Sequence, residues 1–300
     1  MRLSLSHRPR HSARRPARTV GILAVAVLAF AGALTATIPS ASASPTAYYL
    51  ALGDSLSVGY QPGLGDTNQG YSDQLAAKLQ ATHPFQHVVL VKMGCSGETT
   101  GTMINGGKCN DGRYPLGSQL KQAEAFLHAN GSAVKWMTLD IGANDVDGCA
   151  TGALGIDPVC VAQGTATIAQ NLYTIVNGLR SASGAVKPLS VGMAYYDPFL
   201  ASWLTGPQGQ AVAVASVSLL AGINSAEQTI YSGAGFRWAD VFTKFQSTTF
   251  SASMTVAPYG KLPTAVARIC QWTYMCSVNN IHANPTGYGK IAEAFKAKMP

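Results

Sequence analysis

The sequence predicts an α/β fold in which a mostly parallel five-stranded sheet lies between two layers of helices. Short apolar runs alternate along the chain with segments whose apolar residues recur at helical spacing. Such alternation is typical of parallel strands, because the helices that connect them cover both faces of the sheet. No repeat and no Pro- and Ser-rich linker divides residues 44–300, which indicates a single domain.

Each of the first four predicted strands is followed by a segment that can form a helix. The predicted strands are residues 48–52, 87–93, 134–141, 189–196 and 236–242. The first helix is predicted from the four-residue spacing of Tyr71, Leu75 and Leu79. The later helices are predicted over residues 116–127, 161–182 and 208–231. Residues 243–283 have no clear period, so no element is predicted there.

The chain is predicted to end in a helix. Asn284 is the expected N-cap and Pro285 the expected first-turn residue, because both types favour those positions. One face of this helix is apolar and is expected to pack against the sheet: Tyr288, Ile291, Ala292 and Phe295.

The first 43 residues have the features of an export signal. They contain six arginines and no acidic residue, then an apolar run over residues 20–34, and finally Ala41-Ser42-Ala43. A basic start, an apolar centre and small residues at the end are typical of a secretory signal peptide. The alternative is a retained anchor, since residues 20–38 could just span a bilayer. Whether the adjacent Arg14 and Arg15 make it a twin-arginine signal stays open.

The net charge excludes a nucleic-acid partner once the signal is set aside. The whole chain has a formal charge of +7, and residues 44–300 hold 15 basic against 14 acidic side chains. A body with a net charge of +1 lacks the basic surface that binds phosphate backbones.

All six cysteines lie in the exported part of the chain. An even number of cysteines in an exported protein indicates disulfides. Fifteen pairings are possible, and the spacing favours the three local ones: Cys95–Cys109, Cys149–Cys160 and Cys270–Cys276. No Cys-x-x-Cys and no His-Glu-x-x-His motif points to a metal site.

The candidate nucleophile is Ser55. The first strand runs directly into Gly-Asp-Ser-Leu-Ser at positions 53–57, which puts Ser55 at the carboxyl end of that strand. Ligands of parallel sheets bind beyond this edge, and a serine hydroxyl becomes a nucleophile when a base takes its proton. The alternative is that Ser55 only caps a following helix.

The best candidate for the base is His282. Residues 44–300 contain four histidines. His83 and His87 flank the start of a strand, at the opposite edge of the sheet, and His128 lies at the end of a helix, where it can interact with the helix dipole. His282 lies in the loop that precedes the last helix.

Two further loops at the same edge could supply donors for an oxyanion, which acyl transfer requires. One follows the second strand and contains Gly94 and Gly97, and the other contains Gly142 and Asn144. A glycine N–H can approach a substrate closely because no Cβ intervenes. The side-chain amide of Asn144 offers a neutral donor.

Taken in order, these blocks resemble the SGNH (GDSL) hydrolases. The resemblance rests on Gly-Asp-Ser-Leu near the start, a glycine in the second block, Gly-x-Asn-Asp in the third and a late histidine. It covers essentially all of residues 44–300 and implies a flavodoxin-like three-layer fold. The cysteines and the export signal are similar to those of the secreted actinobacterial lipases and esterases of this family.

The resemblance also implies a role for each residue. Ser55 corresponds to the nucleophile and His282 to the base. The main-chain N–H groups of Ser55 and Gly97 and the amide of Asn144 correspond to the oxyanion hole. Gly97 is preferred to Gly94 because Ser-Gly-Glu-Thr at positions 96–99 matches the family's Ser-Gly-Asp-Thr.

The sequence departs from the family pattern at one position. The family usually has an aspartate three residues before the histidine, and Asn279 stands there. The third group of a catalytic triad orients the imidazole and stabilises its charged form. We therefore predict that a carbonyl oxygen of Asn279, from the main chain or the side chain, orients His282.

The resemblance implies a secreted serine esterase or lipase that hydrolyses carboxylic esters, of lipids or other acyl groups. We expect no cofactor and no metal. The expected partners are a small-molecule or lipid ester and a transient lipid interface, and the protein is expected to be a monomer. Two alternatives stay open: an acyltransferase that uses the same site, and a catalytically silent binding protein of the same fold.

Overall fold

The computed structural model describes residues 44–150 and 155–300. The predicted signal peptide lies outside the described residues. The strands are β1 (Thr46–Gly53), β2 (His87–Lys92), β3 (Val134–Asp140), β4 (Leu189–Met193), β5 (Arg237–Ala239), β6 (Ser253–Val256) and β7 (Gly260–Pro263).

The helices follow the strands in the predicted alternation. They are α1 (Tyr71–Thr82), α2 (Thr100–Asn105), α3 (Gln119–Asn130), α4 (Ala143–Val146), α5 (Pro158–Ala182), α6 (Pro207–Gly233), α7 (Val241–Lys244), α8 (Thr264–Trp272), α9 (Met275–Val278) and α10 (Pro285–Lys296). A 3₁₀ segment, Pro198–Thr205, precedes α6.

In the described residues, β1 to β5 form one all-parallel sheet in the order β2-β1-β3-β4-β5. The sheet begins with β1, β2 is added on one side of it, and the chain then crosses to add β3 on the other. The strand order therefore reverses at β1, and ligands of open α/β sheets bind at such a switch point. The carboxyl end of β1 is Gly53, which pairs with Asp140 at the end of β3.

Two cores cover the two faces of the sheet. Tyr49 and Ala51 of β1 pack into a cluster with α1, α8 and α10. Leu50 and Leu52 point the other way and pack into a cluster with α3 and α5. Successive side chains of a strand alternate between faces, so these clusters define helix, sheet and helix layers. The predicted three-layer α/β fold is confirmed.

Capping residues set the ends of the long helices. The Asp157 side chain accepts from the N–H groups of Val159 and Cys160, so α5 begins at Pro158, three residues before the predicted start. The Asn284 side chain accepts from the N–H of Gly287 at 3.0 Å, and α10 begins at Pro285 as predicted. Each cap satisfies donors that the first turn leaves free.

β4 and β5 each end three residues before the predicted end. After β4, the main chain of Tyr195 pairs with the side chain of Asn224 on α6, its N–H with Oδ1 at 2.8 Å and its carbonyl with Nδ2 at 3.1 Å. After β5, the Asp240 side chain accepts from the N–H of Thr243 at 2.9 Å and starts α7. In both places a polar side chain, and not a neighbouring strand, forms the hydrogen bonds with the main chain, so the strand ends.

The stretch without a clear period contains short elements. β6 and β7 pair as an antiparallel hairpin, followed by α8 and α9. Each of these elements has nine residues or fewer, too few for an apolar period to be recognised reliably. This segment leads the chain back to the edge of the sheet where β1 ends.

Candidate active site

Ser55 lies in a tight turn directly after β1. The strand ends at Gly53 with φ +132°, and a Cβ there would lie 2.0 Å from the main-chain oxygen of Asp140. Only glycine fits this position. The next residue stays in register, because the N–H of Asp54 donates to that same oxygen at 3.0 Å. The chain then turns, and the N–H of Tyr60 donates to the carbonyl of Ser55 at 3.0 Å.

His282 reaches Ser55 from the opposite end of the chain. Its Nε2 lies 2.8 Å from Oγ of Ser55. The ring is held from one side by Tyr60, whose ring centroid lies 4.4 Å away. The loop itself is fixed by the hydroxyl of Tyr196, which donates to the carbonyl of Ile281 at 2.7 Å. A base 2.8 Å from a serine hydroxyl is within reach of its proton.

The side chain placed to orient the ring of His282 is that of Asn280. Its Oδ1 lies 2.8 Å from Nδ1 of His282 and accepts from the main-chain N–H of the same residue at 3.1 Å. The prediction that Asn279 fills this role is corrected. Asn279 ends α9 in the left-handed conformation, with φ 52°, and the chain turns there before Asn280 faces the imidazole. The Asn-x-His spacing of a side-chain turn was the available signal.

This arrangement favours a neutral imidazole with its proton on Nδ1. The amide oxygen of Asn280 can only accept a hydrogen bond, so the ring proton lies on Nδ1 of His282. Nε2 is then free to accept from Ser55. Burial lowers the pKa of His282 to about 4, although the negative charge of Asp66 raises it in part. The His282 ring is therefore neutral at neutral pH, the form that can accept a proton.

The predicted oxyanion donors lie on three neighbouring loops. Neither the N–H of Ser55 nor that of Gly97 donates a hydrogen bond to any residue that the structure describes. The amide of Asn144 donates to the carbonyl of Glu98 at 2.9 Å, which leaves its second proton available. Ser55, Asn144 and His282 line one cleft. Gly97 directly precedes Glu98, whose carbonyl accepts from Asn144. Gly97 itself is not among the described residues that line the cleft.

Position 97 also requires a glycine. Its φ is +78°, a region that side-chain-bearing residues rarely adopt, and a Cβ would lie 2.5 Å from Cε of Lys108. The Cys95–Cys109 disulfide closes the loop that contains both residues. The role of the Gly97 N–H as an oxyanion donor stays a prediction.

Gln119 connects two of these loops, and sequence reasoning missed it. It is fully buried on α3. Its side chain pairs with both main-chain groups of Gly53, accepting at 2.7 Å and donating at 2.9 Å, and it also donates to Oε2 of Glu98 at 3.1 Å. The nucleophile turn and the Gly97 loop are thus held by one amide. Nothing in the helical spacing of this segment marks Gln119 as different from other polar helix residues.

A group of buried acids lies beneath Ser55. Asp54 accepts from the N–H of Leu56 at 2.9 Å and from the hydroxyl of Tyr195 at 2.7 Å. Asp140 accepts from the hydroxyl of Tyr71 through Oδ1, and its Oδ2 lies against Asp54 with no donor facing it among the described residues.

The pKa values of Asp54 and Asp140 are both raised. Burial raises the pKa of Asp140 well above its usual value, and the charge of Asp54 raises it further. Burial also raises the pKa of Asp54, while its hydrogen bonds from Leu56 and Tyr195 lower it. Asp140 therefore favours its neutral form beside Asp54, since two adjacent buried carboxyls do not both ionise.

Glu227 on α6 is a third buried acid. Both of its carboxyl oxygens are buried and lack a partner among the described residues. A Cβ on Gly142 would lie 2.5 Å from its Oε1, so Glu227 lies behind the loop that carries Asn144. Burial raises its pKa well above the usual value, and the charges of Asp54 and Asp145 add to this.

The three predicted disulfides are present: Cys95–Cys109, Cys149–Cys160 and Cys270–Cys276. The first closes the loop of Gly97, the second ties the turn after α4 to the start of α5, and the third ties α8 to α9 ahead of His282. Within residues 44–150 and 155–300, no group of three His, Cys, Asp or Glu side chains could hold a metal ion.

The cleft beside Ser55 has a cavity volume of about 100 Å³. Apart from the catalytic candidates, most of its wall is apolar and comes from the α4 region, α5, the 3₁₀ segment and α6. The apolar wall residues are Ala143, Val146, Ala150, Ile156, Val161, Pro198, Phe199, Leu219, Leu220 and Ile223.

Comparison with known proteins places the chain in a family. The family model described as the GDSL-like lipase/acylhydrolase family matches residues 51–290, which span β1 to α10. No match was found among curated proteins.

Several solved structures have the same fold. The lipase Lip_vut3 from a goat rumen metagenome is 17% identical with a TM-score of 0.56, and the match covers 85% of this chain and 98% of that one. Phospholipase A1 from Streptomyces albidoflavus NA297 is 17% identical with a TM-score of 0.54, covering 84% and 99%. The extracellular lipase from Streptomyces rimosus is 19% identical with a TM-score of 0.51, covering 85% and 100%.

Proposed function

Because the chain belongs to the GDSL-like lipase/acylhydrolase family and is a carboxylic ester hydrolase, we propose that Ser55 is its nucleophile and His282 its general base. The observation that carries this proposal is the distance of 2.8 Å between Oγ of Ser55 and Nε2 of His282. The hydrogen bond from Nδ1 of His282 to Asn280 supports it, because this bond leaves Nε2 free to accept the serine proton.

In the first half of the reaction, Nε2 of His282 takes the hydroxyl proton of Ser55 while Oγ bonds to the acyl carbon. The carbonyl oxygen becomes an oxyanion, stabilised by the N–H groups of Ser55 and Gly97 and the amide of Asn144. The intermediate collapses when the bond to the leaving alcohol breaks and His282 gives that oxygen its proton.

In the second half, water replaces the alcohol. Nε2 of His282 takes a proton from water, and the water oxygen bonds to the acyl carbon of the acyl-enzyme. The bond to Oγ then breaks, His282 returns the proton to Ser55, and the carboxylic acid leaves. One copy of the chain carries all of these groups, so the proposed reaction needs no residue from a second copy.

The decisive experiment compares the mature chain with its Ser55→Ala variant on chromogenic esters from acetyl to palmitoyl. We expect the wild type to hydrolyse at least one ester and Ser55→Ala to lose at least 10³-fold in kcat. Ser57→Ala is the matched control. The Ser57 hydroxyl donates to the carbonyl of Asp54 in the same turn, so the control should retain activity. Equal activity of Ser55→Ala and wild type would overturn the proposal.

Residues 1–43 are proposed to be a cleaved secretory signal, which makes the mature protein extracellular. Three disulfides support this, because such bonds persist in oxidising compartments. The test is N-terminal sequencing of protein from the culture medium, with residue 44 expected first. Full-length chain retained in the membrane fraction would contradict it and favour an anchor.

A further inference from the structure

Asp145, the last residue of the Gly-x-Asn-Asp block, binds the loop that carries Gly97. Its Oδ2 accepts from the main-chain N–H of Thr100 at 2.8 Å, and its Oδ1 accepts from the hydroxyl of the same residue at 2.6 Å. Resting on the proposed function, we infer that Asp145 and Thr100 are positioning residues of the oxyanion hole. Through these bonds they set the separation between the N–H of Gly97 and the amide of Asn144.

Asn144 and Asp145 bind the segment after Gly97 at two points. The amide of Asn144 donates to the carbonyl of Glu98, the residue after Gly97, at 2.9 Å. Asp145 accepts from Thr100, two residues further along the chain. Three hydrogen bonds therefore join the two loops that carry the proposed oxyanion donors. A shift of one loop relative to the other would stretch the bonds at both points.

Thr100 is also held from a third element, α5. The amide of Asn171 donates to the hydroxyl oxygen of Thr100 at 3.0 Å. The hydroxyl therefore accepts from Asn171 and gives its single proton to Asp145. Thr100 is fully buried, and an unpaired hydroxyl there would cost free energy. One oxygen atom thus joins α2, α4 and α5 beside the proposed oxyanion donors.

The helix that carries Asn144 is too short to fix its own geometry. This helix, α4, has only four residues and begins directly after Gly142, whose φ is +130°. A single helical turn is unstable alone, because the first turn fixes many dihedral angles for few hydrogen bonds. The contact of Asp145 with Thr100 supplies the external support, and the Asn144 amide takes its position from it.

A positioning role and a purely structural role predict different kinetics. A purely structural role lowers the free energy of unfolding and leaves kcat of the folded protein unchanged. A positioning role lowers kcat with KM nearly unchanged, because the oxyanion exists only after the carbonyl has been attacked. Donors displaced by about 1 Å are enough for a large loss of rate.

The test compares Thr100→Val and Thr100→Ser on the chromogenic ester that the wild type hydrolyses best. Valine keeps the shape of threonine without the hydroxyl, and serine keeps the hydroxyl. We expect Thr100→Val to lose about tenfold or more in kcat with KM within about twofold, and Thr100→Ser to stay within about threefold of wild type. Thr167→Val is the matched control, because this exposed hydroxyl on α5 donates only within its own helix, to the carbonyl of Gln163 at 3.1 Å.

Asp145→Asn provides a second variant if Thr100→Val does not fold. The two bonds from Thr100 require an acceptor at both side-chain oxygens of Asp145, which a carboxylate provides. With asparagine there, the NH₂ group would face a hydroxyl that already accepts from Asn171, and the proton of that hydroxyl would lose its acceptor. We expect this variant also to lose about tenfold or more in kcat.

The affinity for butylboronic acid is a readout that a change of stability alone does not move. Oγ of Ser55 bonds to boron, its hydroxyl proton passes to Nε2 of His282, and an oxygen on the tetrahedral boron takes the place of the oxyanion. Such an analogue binds through the groups that stabilise the transition state. Its Kd should therefore rise in Thr100→Val and Asp145→Asn by about the factor by which kcat/KM falls.

The outcomes separate the inference from the proposed function. If Thr100→Val and Asp145→Asn lose stability but keep the kcat and the butylboronic acid affinity of the wild type, the inference is overturned and the proposed function stays intact. Equal activity of Ser55→Ala and wild type contradicts the proposed function, and the inference falls with it. A loss of kcat in Thr100→Val that Thr100→Ser restores and Thr167→Val does not share supports the inference.

Discussion

One oxygen atom of Asn280 accepts two hydrogen bonds from His282, at 2.8 Å from the ring Nδ1 and at 3.1 Å from the main-chain N–H. The two bonds fix both the ring orientation and the loop that carries it. An amide oxygen fills the position where most triads have a carboxylate. It selects the same tautomer, but without a full negative charge to stabilise the imidazolium.

Replacement of Asn280 by alanine should slow the reaction without abolishing it. The imidazole loses the group that orients it, so we expect kcat for a short ester to fall by about 10- to 100-fold. Asn279→Gly is the matched control, because glycine adopts the left-handed conformation of Asn279 without strain. Its kcat should stay within twofold of wild type. A larger loss in Asn279→Gly than in Asn280→Ala would show that Asn280 is not the orienting residue.

The pH dependence of kcat/KM follows from the lowered pKa of His282. The base must be unprotonated to accept the serine proton, and burial lowers its pKa to about 4. Activity should therefore persist in mildly acidic solution and fall by half near pH 4. Asn280→Asp places a negative charge beside the ring, which raises the pKa of His282. Its acid limb should move to higher pH, and coinciding profiles of the two proteins would contradict the assignment.

Gln119 should act on turnover more than on substrate binding. Gln119→Leu leaves both main-chain groups of Gly53 without their side-chain partner. It also removes the hydrogen bond to Glu98, in the Gly97 loop. We expect stability to fall by about 1–3 kcal/mol and kcat to fall at least tenfold with KM nearly unchanged. Gln122→Leu, on the same helix, is the control, since its buried Oε1 lacks a partner among the described residues. A pure loss of stability, with kcat unchanged in the folded protein, would limit Gln119 to a structural role.

Asp140→Asn should fold and should resist alkaline conditions better than wild type. Asp140 is neutral in the folded chain, whereas an unfolded chain releases its proton above about pH 4. The stability of the wild type therefore decreases as pH rises from about 4 towards the raised pKa of Asp140. Asparagine can donate to Asp54 and accept from Tyr71 with no proton to lose. The advantage of the variant in urea unfolding should be larger at pH 8 than at pH 5, and an equal difference at both would contradict a neutral Asp140.

The long elements could be predicted from the sequence because their burial is one-sided. Leu75 and Leu79 of α1, or Ile291 and Phe295 of α10, recur at helical spacing and are fully buried. The ends of β4 and β5 could not be predicted, because they depend on side chains that compete for main-chain groups. Asn224, which ends β4, lies 29 residues after its partner Tyr195.

The catalytic candidates could be predicted as residue types at a strand's carboxyl end, and Ser55 and His282 do lie in contact. Their supporting groups could not. Asn280 and Asn279 are neighbours of the same type, and only the turn at Asn279 decides which one faces the ring. Gln119 and Asp140 act through contacts over 66 and 69 residues of sequence, with Gly53 and Tyr71, and no local pattern encodes such distances.

The contact between Ser55 and His282 spans 227 residues. The proposed nucleophile therefore lies next to the first strand of the sheet, and the proposed base precedes its last helix. Under the proposed function, the site assembles only when these two distant parts of the chain have folded against each other. A proteolytic fragment that stops before residue 282 would keep Ser55 and lose the group that accepts its proton.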